Sequence, residues 1–164
     1  MKKFFTLLIF TTAVLFSNTA FSIPKLNSYP TAIATLFLDF DGHYVQSSVW
    51  NSGLPFNCAA SGMTDPQITE AFYRVAEDYR PFNINITTDS TVFLAAPLNR
   101  RMRIIITTTS SWSPGVGGVA FIGSFNWGDD TPAFVFSDRL GPYSPKMIGE
   151  CISHESGHTV GLSH

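Results

Sequence analysis

Apolar positions along this chain fall into two rhythms, and the switches between them predict most of its elements. Ile33 to Phe40 (IATLFLDF) is an almost unbroken apolar run of strand length, as expected of a strand covered on both faces. Residues 43–63 are rich in Gly, Ser, Asn and Pro and predict a long connection. Thr64-Asp65-Pro66-Gln67 has the form of a helix start, with Pro in the first turn. Ile68, Ala71, Phe72, Val75, Ala76 and Tyr79 then recur at helical spacing, and Pro81 ends the run. Asn83 to Thr88 alternates as a strand, and Arg103 to Thr109 is a second run rich in β-branched residues. A Gly/Ser/Pro loop, Ser110 to Gly118, leads to two further strands, Val119 to Phe125 and Ala133 to Ser137. Ser144-Pro145 can cap and open a final helix reaching about Val160. The order is strand, helix, four strands, helix, which predicts an α/β (α+β) domain.

The start of the chain has a different pattern. Lys2 and Lys3 precede an apolar stretch from Phe4 to Phe16, and Ala20-Phe21-Ser22 offers small residues at the first and third positions before a cut. Residues 1–22 therefore read as a secretory signal cleaved before Ile23, with residues 23–164 as one domain in a secreted or periplasmic protein. The chain of 164 residues is 45% hydrophobic and 14% aromatic, enough for one packed core. Its formal charge of −2 has no basic cluster behind it, which argues against nucleic acid and, after cleavage, against a membrane surface. A monomer is expected. In an oxidising compartment the two cysteines, Cys58 and Cys151, could form a disulfide tying the loop to the last helix, or stay unlinked.

The last eleven residues are the richest in chemistry: His154-Glu155-Ser156-Gly157-His158-Thr159-Val160-Gly161-Leu162-Ser163-His164. On a helix, Met147, Cys151, His154 and His158 fall within an arc of ~60°, so the two histidines share a face and can chelate one ion. Glu155 stands beside them. Gly161 can take the left-handed conformation that ends a helix, letting His164 return as a third ligand. Three neutral imidazoles leave one zinc position open for water. Random occurrence of all five fixed positions is expected at roughly a few in a million.

This HExxHxxGxxH pattern resembles the metzincin clan of zinc endopeptidases. The resemblance implies His154, His158 and His164 as zinc ligands, Glu155 as general base and Gly161 as the turn glycine. It also implies an N-terminal subdomain built on a mixed, twisted five-stranded sheet with two long helices, the second carrying the motif. A zinc-activated water would then hydrolyse peptide bonds of a peptide or protein substrate. The strand before the last would lie at the sheet edge and pair with the substrate, which assigns Gly118, Val119, Ala120 and Phe121 to substrate binding. The clan also has a methionine turn after the third histidine. Here Met1, Met63, Met102 and Met147 all precede it, so the chain resembles the first part of a longer enzyme whose C-terminal subdomain is absent. The motif is similar to reprolysin-like, serralysin-like and matrixin-like sequences, with a lean to the first.

Other readings compete with this one. The chain could be an inactive or partly folded zinc-binding fragment of such an enzyme. Asp39-Phe40-Asp41-Gly42, with Asp129-Asp130 later, resembles the nucleophile loop and magnesium-binding pair of haloacid-dehalogenase-type phosphatases. Asp39 and Asp41 also raise Ca²⁺, though their glycine spacing does not fit an EF-hand loop. His43 reads as a loop residue. Asn85-Ile86-Thr87 fits a glycosylation sequon but falls in a predicted strand.

Overall fold

The computed structural model describes residues 22–164. All of the expected secretory signal except Ser22 lies outside the described residues. The described residues are mixed α/β, with a five-stranded, mostly parallel sheet and three α-helices. Strand β1 (Ala34–Asp39) pairs in parallel with β4 (Ile84–Thr87) and with β5 (Arg101–Thr107), and β5 pairs in parallel with β7 (Ala133–Phe136). The edge strand β6 (Gly118–Val119) runs antiparallel to β7. The order across the sheet is β4-β1-β5-β7-β6.

Alternation along the strands sends side chains to two different cores. Leu36, Leu38, Ile104, Ile106 and Val135 face α1 (Asp65–Asp78) and α3 (Pro145–Thr159), where they meet Ile68, Phe72, Val75, Ile148 and Ile152. Nearly all of these side chains are sealed from solvent. Ile105, Phe134 and Phe136 face the other way, under Val45, Trp50 and Cys58. That cover is a small antiparallel hairpin, β2 (His43–Val45) with β3 (Phe56–Cys58), inside the segment expected to be a plain connection. A short helix, α2 (Ser90–Ala95), brings Phe93 onto Phe37 with ring centroids 5.2 Å apart. Helix α2 was not foreseen because its six residues are too few to establish a period.

The two long helices begin and end as the sequence indicates. Gln67 Oε1 accepts from the Thr64 backbone N–H at 2.8 Å, and Pro66 sits in the first turn of α1. Ser144 accepts from Met147 N–H at the start of α3, with Pro145 first in the helix. Tyr79 OH donates to the Ser153 carbonyl at 3.1 Å and Ser153 Oγ to Asp78 at 2.6 Å, joining α1 to α3.

The expected strand from Val119 to Phe125 is cut short. Gly123 turns with φ +76°, its N–H donates to the His158 carbonyl at 2.9 Å, and Ser124–Asn126 form a 3-10 turn. The Asn85 side chain is buried and accepts from the Ser28 and Tyr29 N–H groups, so it is not available for a glycan in the folded chain. Among the described residues no helix is long and apolar enough to cross a membrane.

Candidate metal centre

Helix α3 ends at a left-handed glycine, and that turn assembles the site. Gly161 has φ +105°, and the Leu162 N–H reaches back to the Gly157 carbonyl at 3.0 Å. Leu162 lies against Gly157, where a Cβ would sit only 3.3 Å from Leu162 Cδ1. The chain therefore folds back under its own helix and returns His164 to the level of His154.

The three imidazoles converge on one point. His154 Nε2 lies 3.0 Å from His158 Nε2 and 3.1 Å from His164 Nε2. Bonds of about 2.0–2.1 Å in a tetrahedral zinc site put ligand nitrogens roughly 3.3 Å apart, so the spacing fits a shared ion. The tautomer of His158 fits as well. Its Nδ1 lies 2.8 Å from the Leu162 carbonyl oxygen, which can only accept, so the proton belongs on Nδ1 and the Nε2 lone pair faces the centre. Burial and the two neighbouring histidines hold the His154 pKa below its ordinary value, which favours the neutral, ligating form. The triad His154, His158 and His164 could thus hold a metal ion.

Glu155 stands next to this group but in a different environment. It is only 6% exposed, and burial pushes its carboxyl up to about 7 against the opposing pull of His158. A cleft of about 450 Å³ runs between α3 and the edge strand, lined by residues 116–120 and by Cys151, His154, Glu155, His158 and His164. Gly118, Val119 and Ala120 therefore reach the site, as expected of an edge strand beside it. Phe121 does not line the cleft. It turns instead into an aromatic row, with its ring 4.3 Å from Trp50 and 5.3 Å from Trp127.

Cys58 and Cys151 are both free, so of the two alternatives the unlinked one is seen. Cys58 packs under the hairpin and Cys151 against the helical core, on opposite faces of the sheet. Burial pushes both thiols up to about 12.

Asp39, Asp129 and Asp130, three of the four acidic residues of the phosphatase reading, have local partners. Asp39 is buried in an ion pair with Arg103, whose Nη1 also lies 3.2 Å from His43 Nδ1. Asp130 pairs with Arg101 at 3.0 Å, and Asp129 accepts from the Thr131 N–H. His43 belongs to β2, not to a loop, and stands outside the metal group. Arg103 was missed in the sequence, although a charge inside the run RMRIIIT is a signal that a buried partner must exist.

No family model, curated protein or solved structure was found to match this chain.

Proposed function

We propose that this chain carries the catalytic centre of a secreted, zinc-dependent endopeptidase of the metzincin type. The observation that carries the reading is the convergence of three Nε2 atoms beside a buried glutamate, in a cleft bordered by the free edge of a sheet. The antiparallel edge strand lying over the motif helix supports the same assignment.

His154, His158 and His164 would hold the ion, with the Leu162 carbonyl fixing the His158 ring. Zinc bound there would supply a Lewis acid for the scissile carbonyl and would acidify a water molecule. The unpaired edge of β6 offers backbone groups to an extended peptide, which would lie antiparallel to it. Glu155 accepts a proton from the attacking water. Desolvation by burial raises the affinity of its carboxyl for that proton above that of a solvated one. It then passes the proton to the departing amine. The low exposure of Glu155 keeps bulk water from competing for that transfer.

Replacing Glu155 with Gln tests the assignment. The variant is expected to retain one zinc per chain by elemental analysis, while cleavage of a quenched fluorescent peptide falls by about 10²-fold or more. Parental cleavage by the variant would remove Glu155 from its role. Loss of zinc from the variant would show that Glu155 belongs to the ligand set.

A further inference from the structure

Most glycines in loops of this chain have an evident conformational reason. Gly115, Gly123 and Gly161 have φ of +84°, +76° and +105°, and a Cβ on any of them would meet nothing within 4 Å. Gly118 is the reverse case. It has no positive φ to justify it, yet it has no room for a side chain. A Cβ there would lie 2.7 Å from Glu155 Cγ, 2.8 Å from Glu155 Oε1 and 2.8 Å from the Phe134 carbonyl oxygen.

The geometry points to Gly118 as the positioning residue for Glu155: its bare backbone forms the wall that sets where the carboxylate stands. This rests on the peptidase reading and deepens it. The argument turns on which neighbour can yield. The Phe134 carbonyl belongs to β7, between β5 and β6, and its residue is fully buried. Gly118 itself is registered opposite Val135, and the Phe136 N–H donates to the Gly117 carbonyl at 2.7 Å. The contact with the Phe134 carbonyl is backbone on backbone and is the same whatever stands at position 155, whereas the Glu155 contacts are with a side chain that can turn, so an added methyl group displaces the Glu155 carboxylate. The preceding glycine is less constrained. A Cβ on Gly117 would meet only the tip of Leu140 at 3.0 Å and Cys151 Sγ at 3.8 Å, and the Leu140 tip can rotate away.

A carboxylate moved by about 1 Å loses on the order of 10²-fold in rate, while its strand still pairs with substrate. Gly118→Ala is therefore expected to lower kcat at least tenfold, with KM and zinc content within about twofold of the parent. Thermal unfolding provides a cycle that needs no activity. Gly118→Ala should lower Tm by several degrees in the parent and by clearly less in Glu155→Ala, which removes both Glu155 atoms from the clash. Parental kcat in Gly118→Ala would overturn the proposal. So would equal Tm losses with and without the Glu155 side chain. A parent that cleaves no peptide would sink the peptidase reading instead, and the unfolding cycle would still decide whether Gly118 seats Glu155.

Discussion

Zinc should stabilise this chain, and the size of the effect follows from the preformed triad. Nothing large has to move for the ion to enter. His154 and His158 are one helical turn apart on α3, and the Gly161 turn already holds His164 within 3.1 Å of His154. A ligand that binds only the folded state adds about 4 kcal/mol when present at 1,000 times its Kd. For a chain of this size about 2–4 °C accompanies each kcal/mol, so Tm should rise by roughly 8–16 °C. The assay is thermal unfolding of metal-free protein against added zinc, reversed with chelator. Replacing His158 with Ala removes one ligand and also the bond to the Leu162 carbonyl. If affinity falls about 1,000-fold, the same zinc concentration leaves only RT ln 2, about 0.4 kcal/mol, or ~1 °C. His43→Ala is the control. It alters a histidine outside the triad and should keep the full zinc-dependent rise, whatever it does to the metal-free Tm. A flat zinc response in the parent, or a full response in His158→Ala, would refute the reasoning.

The Asp39–Arg103 pair gives pH effects of opposite sign for its two partners. Burial, helped by neighbouring Asp41, raises the Asp39 pKa from 3.8 to about 7 despite Arg103. A raised carboxyl pKa means the folded state binds the proton more tightly, so the associated stability is full below about pH 4 and is lost as pH rises through 7. Asp39→Asn should therefore cost about 2 kcal/mol more at pH 5 than at pH 8. Arg103→Met should cost more at pH 8, where an ionised Asp39 loses its guanidinium partner. Denaturant unfolding at the two pH values checks both, and matching pH trends for the two variants would contradict the assignment. The free thiols make a separate prediction. Unreduced, denatured protein should show two reactive thiols per chain, and reductant should leave Tm unchanged; a count of zero would restore the disulfide.

What the sequence disclosed depended on how local each feature is. The motif helix and α1 were legible because each repeats its apolar positions over four turns and carries its own cap residues. The histidine triad was legible because its members lie within eleven residues, so helix geometry and one glycine determine their meeting. The hairpin and α2 were not. A strand of three residues spans only one and a half periods of two, too little to establish alternation, and pairing partners such as His43 with Cys58 are set by tertiary contacts. The edge strand was read too long because Phe121 and Phe125 continue an apolar alternation. Pairing stops at Val119, and the turn beyond it at Gly123 is held by a bond to His158 far along the chain. The clash zone between Gly118 and Glu155 is equally invisible in sequence, since it is a distance between residues 37 positions apart.

The position of Glu155 within the motif has a simple physical meaning on this helix. Ile148, Ile152, Glu155 and Thr159 follow one another at spacings of four, three and four, and all are buried. The glutamate thus continues the stripe that anchors α3 to the sheet. His154 is exposed one position earlier, and with Cys151 and His158 it forms the adjoining stripe that opens on the cleft. One residue of offset is about 100° of rotation, enough to put His154 in the open and Glu155 against protein. A glutamate shifted onto the ligand stripe would be solvated and would keep an ordinary carboxylate pKa. One held on the anchoring stripe is desolvated by the same packing that fixes the helix. The burial that stabilises α3 and the burial that raises the Glu155 pKa are therefore one interaction. Core substitutions that loosen Ile152 should then disturb Glu155 before they disturb the three histidines.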